Sequence, residues 1–169
     1  MSEVEEGPPV CFACEFEQRG FPCRDGQGAY QENAVALALR DCYRLAGEGD
    51  HEPLAWAVEC VDELILESPQ MALNFILLAL PIFETDEDLA VLAAGPLEDL
   101  LGCHGAAVID RVEVEAAGND RFRLLLSGVR GRNDVGGEIW RRLQRTLGSG
   151  PWLDRDPRTP QDSDEEPEA

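Results

Sequence analysis

Lysine is absent: all fourteen basic residues are Arg, and they face 34 Asp and Glu, for a net charge of -20 over 169 residues. Free nucleic acid should be repelled by such a chain unless a local basic patch overrides the balance. Histidine is scarce, with only His51 and His104. No long apolar run exists either. The longest, Met71 to Phe83, is broken by Asn74 and Pro81 and falls short of the roughly 20 residues that cross a bilayer, so no membrane span is expected. Glu3, Glu5 and Glu6 stand where a secretory signal would carry cations, and the expected location is cytoplasmic. With 44% hydrophobic residues, what remains is a chain able to bury the core of one domain.

The charge is unevenly spread. Residues 29–93 hold 13 acids and two Arg, whereas residues 94–153 hold eight of each. The folded molecule should therefore have an acidic side and an Arg-bearing end, a polarity that suits a protein partner with a basic surface.

Breakers divide the chain into three parts. Residues 1–28 contain Gly7, Pro8, Pro9, Gly20, Pro22, Gly26 and Gly28, which predicts an irregular Cys-containing arm. Residues 29–150 read as a helical domain. Residues 151–169 carry Pro157, Pro160, Pro167 and seven acids, an expected disordered acidic tail.

Within the domain, Tyr30, Ala34, Leu37, Ala38, Asp41 and Leu45 approximate a buried stripe of a first helix. Pro53 opens a second, with Leu54, Ala57, Val58, Val61, Leu64 and Ile65 on one face and Glu59, Asp62, Glu63 and Glu67 towards water. Ser68 and Pro69 predict a cap and first turn for a third, apolar almost all round. Thr85, followed by Asp86, Glu87 and Asp88, caps a fourth. Gly95 and Pro96 are expected to stop it, and helices over 97–103, 106–117, 120–129 and 138–147 come next. Arg111 to Glu115 is the best candidate strand, yet it also fits a helix. The fold class is all-α, a compact bundle or short α-solenoid of about seven to eight short antiparallel helices.

The segment GPLEDLLGCHGAAVIDRVEVEAAGNDRFRLLLSGVRG, Gly95 to Gly131, resembles a family of small bacterial proteins classed only as a domain of unknown function. The resemblance rests on GPLEDLL, a following HG, an IDR helix and an RF segment closing on G-V-x-G, with an upstream aromatic helix matching Leu54, Ala55 and Trp56. Arg130 stands where that family usually has Trp. The resemblance implies an all-helical bacterial protein and supplies no mechanism.

Two constellations carry chemistry. His104 as a general base oriented by Asp110 is the one catalytic candidate. Against it, Glu98 and Asp99 have a helix-dipole explanation, and Asp110 can pair with Arg111. The second is Cys11, Cys14 and Cys23, spaced C-x2-C-x8-C, which with Cys42 would make a four-ligand structural zinc site; His51, His104 or Asp25 are substitutes for the fourth ligand. Otherwise Cys42, Cys60 and Cys103 read as small buried core residues. Taken together, the sequence points to a non-enzymatic protein-binding module, an immunity-like neutraliser or accessory subunit, whose binding residues are Glu59, Asp62, Glu63 and Glu67. The alternatives are a nucleic-acid mimic and an enzyme using His104 and Asp110.

Overall fold

The computed structural model describes residues 22–47, 49–131 and 135–153. Its elements are α1 (Glu32–Ala46), a 3₁₀ turn (Glu52–Leu54), α2 (Ala55–Glu67), α3 (Pro69–Ala79), α4 (Asp86–Leu92), a π turn (Ala93–Leu97), α5 (Glu98–Gly118), α6 (Asp120–Leu126) and α7 (Gly137–Leu147). No strand occurs among the described residues, and the Arg111–Glu115 segment is helical. The all-α expectation is met.

Before α1, residues 22–31 form a tight loop. Asp25 Oδ1 accepts the backbone N–H groups of Gln27 and Ala29, Gly28 takes φ 86°, and Gln31 N–H donates to the Cys23 carbonyl. Tyr30 thus lies outside the helix, and counting the apolar stripe from it sets the phase wrongly. Val35, Ala36, Leu39 and Cys42 face inward, while Leu37 is 43% exposed.

The expected break at Gly95–Pro96 does not occur. Helical backbone continues from α4 through the π turn into α5, and Glu98 N–H reaches back five residues to the Ala93 carbonyl. A π turn admits one extra residue, so Pro96 sits inside it despite its missing N–H, buried with Ala93 and Leu97. Similarly, the predicted helices over 97–103 and 106–117 are one rod, kinked where His104 leaves helical geometry (φ -134°, ψ 24°). With the run from Asp86 to Gly118 counted once, six helices are described.

These six close into a bundle rather than a solenoid. In a solenoid each repeat touches only its neighbours, whereas here α1 packs on α2, α3 and α4, and α5 packs on α2, α3, α6 and α7. The core is continuous, with Phe75, Phe83 and Phe122 as its largest fully buried side chains. Thr85 caps α4 as predicted: its hydroxyl accepts Asp88 N–H and the Asp88 carboxylate accepts Thr85 N–H. Ser68, by contrast, makes no side-chain cap, and its N–H closes the last turn of α2 on Leu64.

Candidate functional site

The acidic residues of α2 recur at three- and four-residue spacing. Such residues are neighbours on a helix surface, so Glu59, Asp62, Glu63 and Glu67 form one ridge. Asp62 and Glu67 are exposed, Glu59 and Glu63 partly so. Opposite the ridge, the start of α5 brings up Asp99, and between them lies a groove of about 270 Å³ lined by Asp62, Ile65, Leu66, Asp99 and Cys103. Its apolar wall continues outward, because Leu66 is 55% exposed. Cys103, expected in the core, is exposed because it lies on this open face of α5.

The groove is electrostatically costly. Partial desolvation against the groove wall, although Asp62 keeps an exposed side, raises its carboxyl above the ordinary value, and Asp99 and then Glu59 raise it further. The same two aspartates act on Tyr43 of α1, whose hydroxyl is pushed up first by burial and then by Asp62 and Asp99. Tyr43 reaches the π turn, where a Cβ on Gly95 would stand 3.0 Å from its Oη. Sequence reasoning found the α2 ridge and missed Asp99 and Tyr43 as its neighbours. The uninterrupted α4–π–α5 run brings Asp99 there, and the packing of α1 on α2 brings Tyr43.

A raised carboxyl fixes the sign of a pH effect. The folded state holds the proton to higher pH than the unfolded chain, so Asp62 costs stability increasingly as pH rises through its folded pKa. Asp62→Asn should raise the melting temperature at pH 7 and leave it unchanged well below the unfolded value of about 4, at about pH 2 to 3, where both states are protonated. Thermal melts at the two pH values check this; a lower melting temperature at pH 7 contradicts it.

The GPLEDLL to GVRG segment is held together by its own letters. Glu98 accepts the Arg130 N–H at 2.7 Å, and Gly131 lies so close to Glu98 that a Cβ would meet its Oε1 at 2.9 Å. Glu98 and Asp99 therefore do not compensate a helix start, because no free N-terminus exists there. Gly105 of the HG pair admits Ile139 of α7, whose Cγ atoms would stand 3.1 Å from an added Cβ. Ile109 and Phe122 are core residues. Arg121 donates to the carbonyls of Leu80, Phe83 and Glu84.

His104 lies at the kink, but the carboxylate assigned to orient it is engaged elsewhere. Asp110 accepts from Arg142 of α7 at 2.6 Å, Arg142 also binds Glu113, and Arg111 pairs with Glu115 rather than with Asp110. Asp110 is also 90% exposed. Asp110, Glu113 and Arg142 thus form an ion cluster between α5 and α7.

Cys11 and Cys14 of the zinc candidate lie outside the described residues. Cys23 is buried beside Tyr30, whose hydroxyl meets Cys60 Sγ at 3.6 Å, while the Cys42 thiol is directed at the His51 carbonyl at 3.8 Å. Asp25 is engaged in its own turn. Among the described residues no group of three or more His, Cys, Asp or Glu is placed to hold a metal ion.

At the other end, Val129, Arg130, Trp140, Gln144, Leu147 and Trp152 line a cavity of about 620 Å³. A second, of about 580 Å³, lies along α7 between Glu138, Arg141, Gln144 and Arg145. Their linings gather Arg130, Arg141 and Arg145 of the Arg-richer segment 94–153. No helix among the described residues is long and apolar enough to cross a membrane. A family model described as a family of unknown function (DUF6869) matches residues 45–149, while no curated protein and no solved structure matches the chain.

Proposed function

Since this chain belongs to the family of unknown function DUF6869, we propose that it is a non-enzymatic binding module whose acidic α2–α5 face docks a basic surface of another protein. The observation that carries this reading is the groove itself, with Asp62 and Asp99 beside an exposed apolar wall at Leu66. Charges that raise one another's proton affinity lower stability, and a basic partner would relieve the repulsion on docking. An apolar wall between them supplies area that becomes buried in the complex. The engagement of Asp110 by Arg142 gives the His104 alternative no comparable support.

The test is capture from an extract of the source organism on the immobilised full chain, followed by association kinetics with the purified partner over a range of salt. A basic protein should be retained by the wild type. Reversing Glu59, Asp62, Glu63 and Glu67 to Arg should slow its association by about tenfold or more at low salt and flatten the salt dependence. An unchanged association rate would overturn the assignment of this face.

A further inference from the structure

Gln144 of α7 lines both cavities beside that helix, so they form one trough with three chemistries along it: indoles at Trp140 and Trp152, the Gln144 amide, and guanidinium groups at Arg141 and Arg145. Trp140 and Gln144 are one turn apart, as are Arg141 and Arg145, so each pair shares a helix face. Both tryptophans are half-buried and packed on the core, which holds them in place. The backbone sets Trp152 there. Gly148 and Gly150 take φ 57° and 104°, values that glycine adopts without a Cβ penalty, and they turn the chain back after α7. A Cβ on Gly150 would stand 2.8 Å from the Trp152 indole, and Leu153 N–H donates to Ser127 Oγ at 2.8 Å.

The cationic half is unbalanced. Like charges one turn apart on a helix repel, and Glu138 is the one carboxylate among its lining residues. Arg142, between the two arginines, is engaged by Glu113 and Asp110, whereas Arg141 Nε donates only to the Gly137 carbonyl of its own helix. An anion between Arg141 and Arg145 would replace their repulsion with charge-assisted hydrogen bonds, and phosphate matches the guanidinium fork. A flat ring suits the indoles, and the Gln144 amide offers donors and an acceptor to whatever joins ring and anion. The rest of the chain limits the ligand's size. At a net charge of -20, every phosphate beyond this lining meets repulsion, which disfavours a long polyanion and leaves a small one. The aromatic cavity, about 620 Å³, falls within the roughly 300–1,000 Å³ of small-molecule sites.

We infer that this trough binds a nucleoside monophosphate, with its base against Trp140 and Trp152, its sugar hydroxyls at Gln144 and its phosphate on Arg141 and Arg145. Val129 and Leu147 supply apolar surface around the base. Glu138, in the cationic half, opposes any further phosphate. The site shares no residue with the acidic α2–α5 groove and stands independently of it.

Calorimetric titration of the full chain with the monophosphates of adenosine, guanosine, cytidine and uridine tests this. At least one should bind with a Kd of about 0.1 mM or tighter, which a ligand of that size can attain. The matching nucleoside and inorganic phosphate should each bind more weakly by about tenfold or more, since each lacks one half of the ligand. Arg141→Gln with Arg145→Gln should weaken the nucleotide by about tenfold and leave the nucleoside unchanged. Both positions are exposed, so an unaltered far-ultraviolet spectrum is expected. Trp140→Leu should weaken nucleotide and nucleoside alike, by about tenfold, through the lost stacking. No binding of any of the four at about 5 mM would overturn the inference. So would phosphate alone binding as tightly as the nucleotide, which leaves a general anion patch, or a double Arg variant that binds like the parent. Tighter binding of a single strand of about twelve nucleotides would overturn it too, and would assign the surface to nucleic acid.

Discussion

Arg121→Met should lower the unfolding free energy by about 2–4 kcal/mol, because several charge-assisted hydrogen bonds to backbone carbonyls are lost together. Arg121 is in the first turn of α6, and its guanidinium reaches Leu80, Phe83 and Glu84 just beyond the end of α3. Carbonyls at a helix end have no partner within the helix, and a cation there also compensates the negative end of the dipole. Methionine keeps much of the apolar stem while removing every donor, so the loss measures hydrogen bonding rather than packing. Arg121→Lys should fall between, since an ammonium cannot present a planar fork to separate carbonyls. Chemical denaturation checks the series. A loss below about 0.5 kcal/mol would mean that water replaces the guanidinium at little cost.

Asp88→Ala is the second large effect, expected at about 2–3 kcal/mol from the loss of a cap and of an ion pair with one buried end. Asp88 is 4% exposed and accepts from Arg44 Nε and Nη2 at 2.8 and 2.7 Å, in addition to the Thr85 N–H. Arg44 is 44% exposed, so water screens that side and the effect stays below the range for a fully buried pair. The Arg44 hydrogen bonds hold the Asp88 carboxyl well below the usual carboxylate range, outweighing the opposing effect of its burial, and Thr85 adds to them. A depressed pKa contributes stability that is present above the unfolded value of about 4 and is lost as pH falls through the folded value. The variant should therefore lose stability at pH 7 and show a flatter decline than the parent below pH 4. Parallel acid limbs would show that the carboxylate is not what Arg44 stabilises.

The Arg121 effect and the Arg44 part of the Asp88 effect come from long-range pairs, which explains what was hidden in the sequence. Arg44 and Asp88 are 44 positions apart, and Arg121 is about 40 from its carbonyls. No local spacing announces either. The α4 cap was legible, because Thr85 and Asp88 meet within one turn. The α2 ridge was legible for the same reason. Its conversion into a groove was not, since Asp99 arrives only because the chain runs helically through Gly95 and Pro96, the pair expected to stop it. The pairing of Asp110 was equally hidden: proximity in sequence offered His104 or Arg111, and Arg142 of another helix holds the carboxylate.

By itself, the sequence determined the helical class, the acidic ridge of α2 and most helix positions. Each of these comes from residue spacing and composition within a few turns, where the backbone leaves little choice. Tertiary structure alone decided the bundle over the solenoid, the passage through the π turn, and which charges face one another. Those outcomes depend on how buried faces of distant helices fit, and a buried carboxylate or carbonyl takes whichever donor the packing brings within about 3 Å.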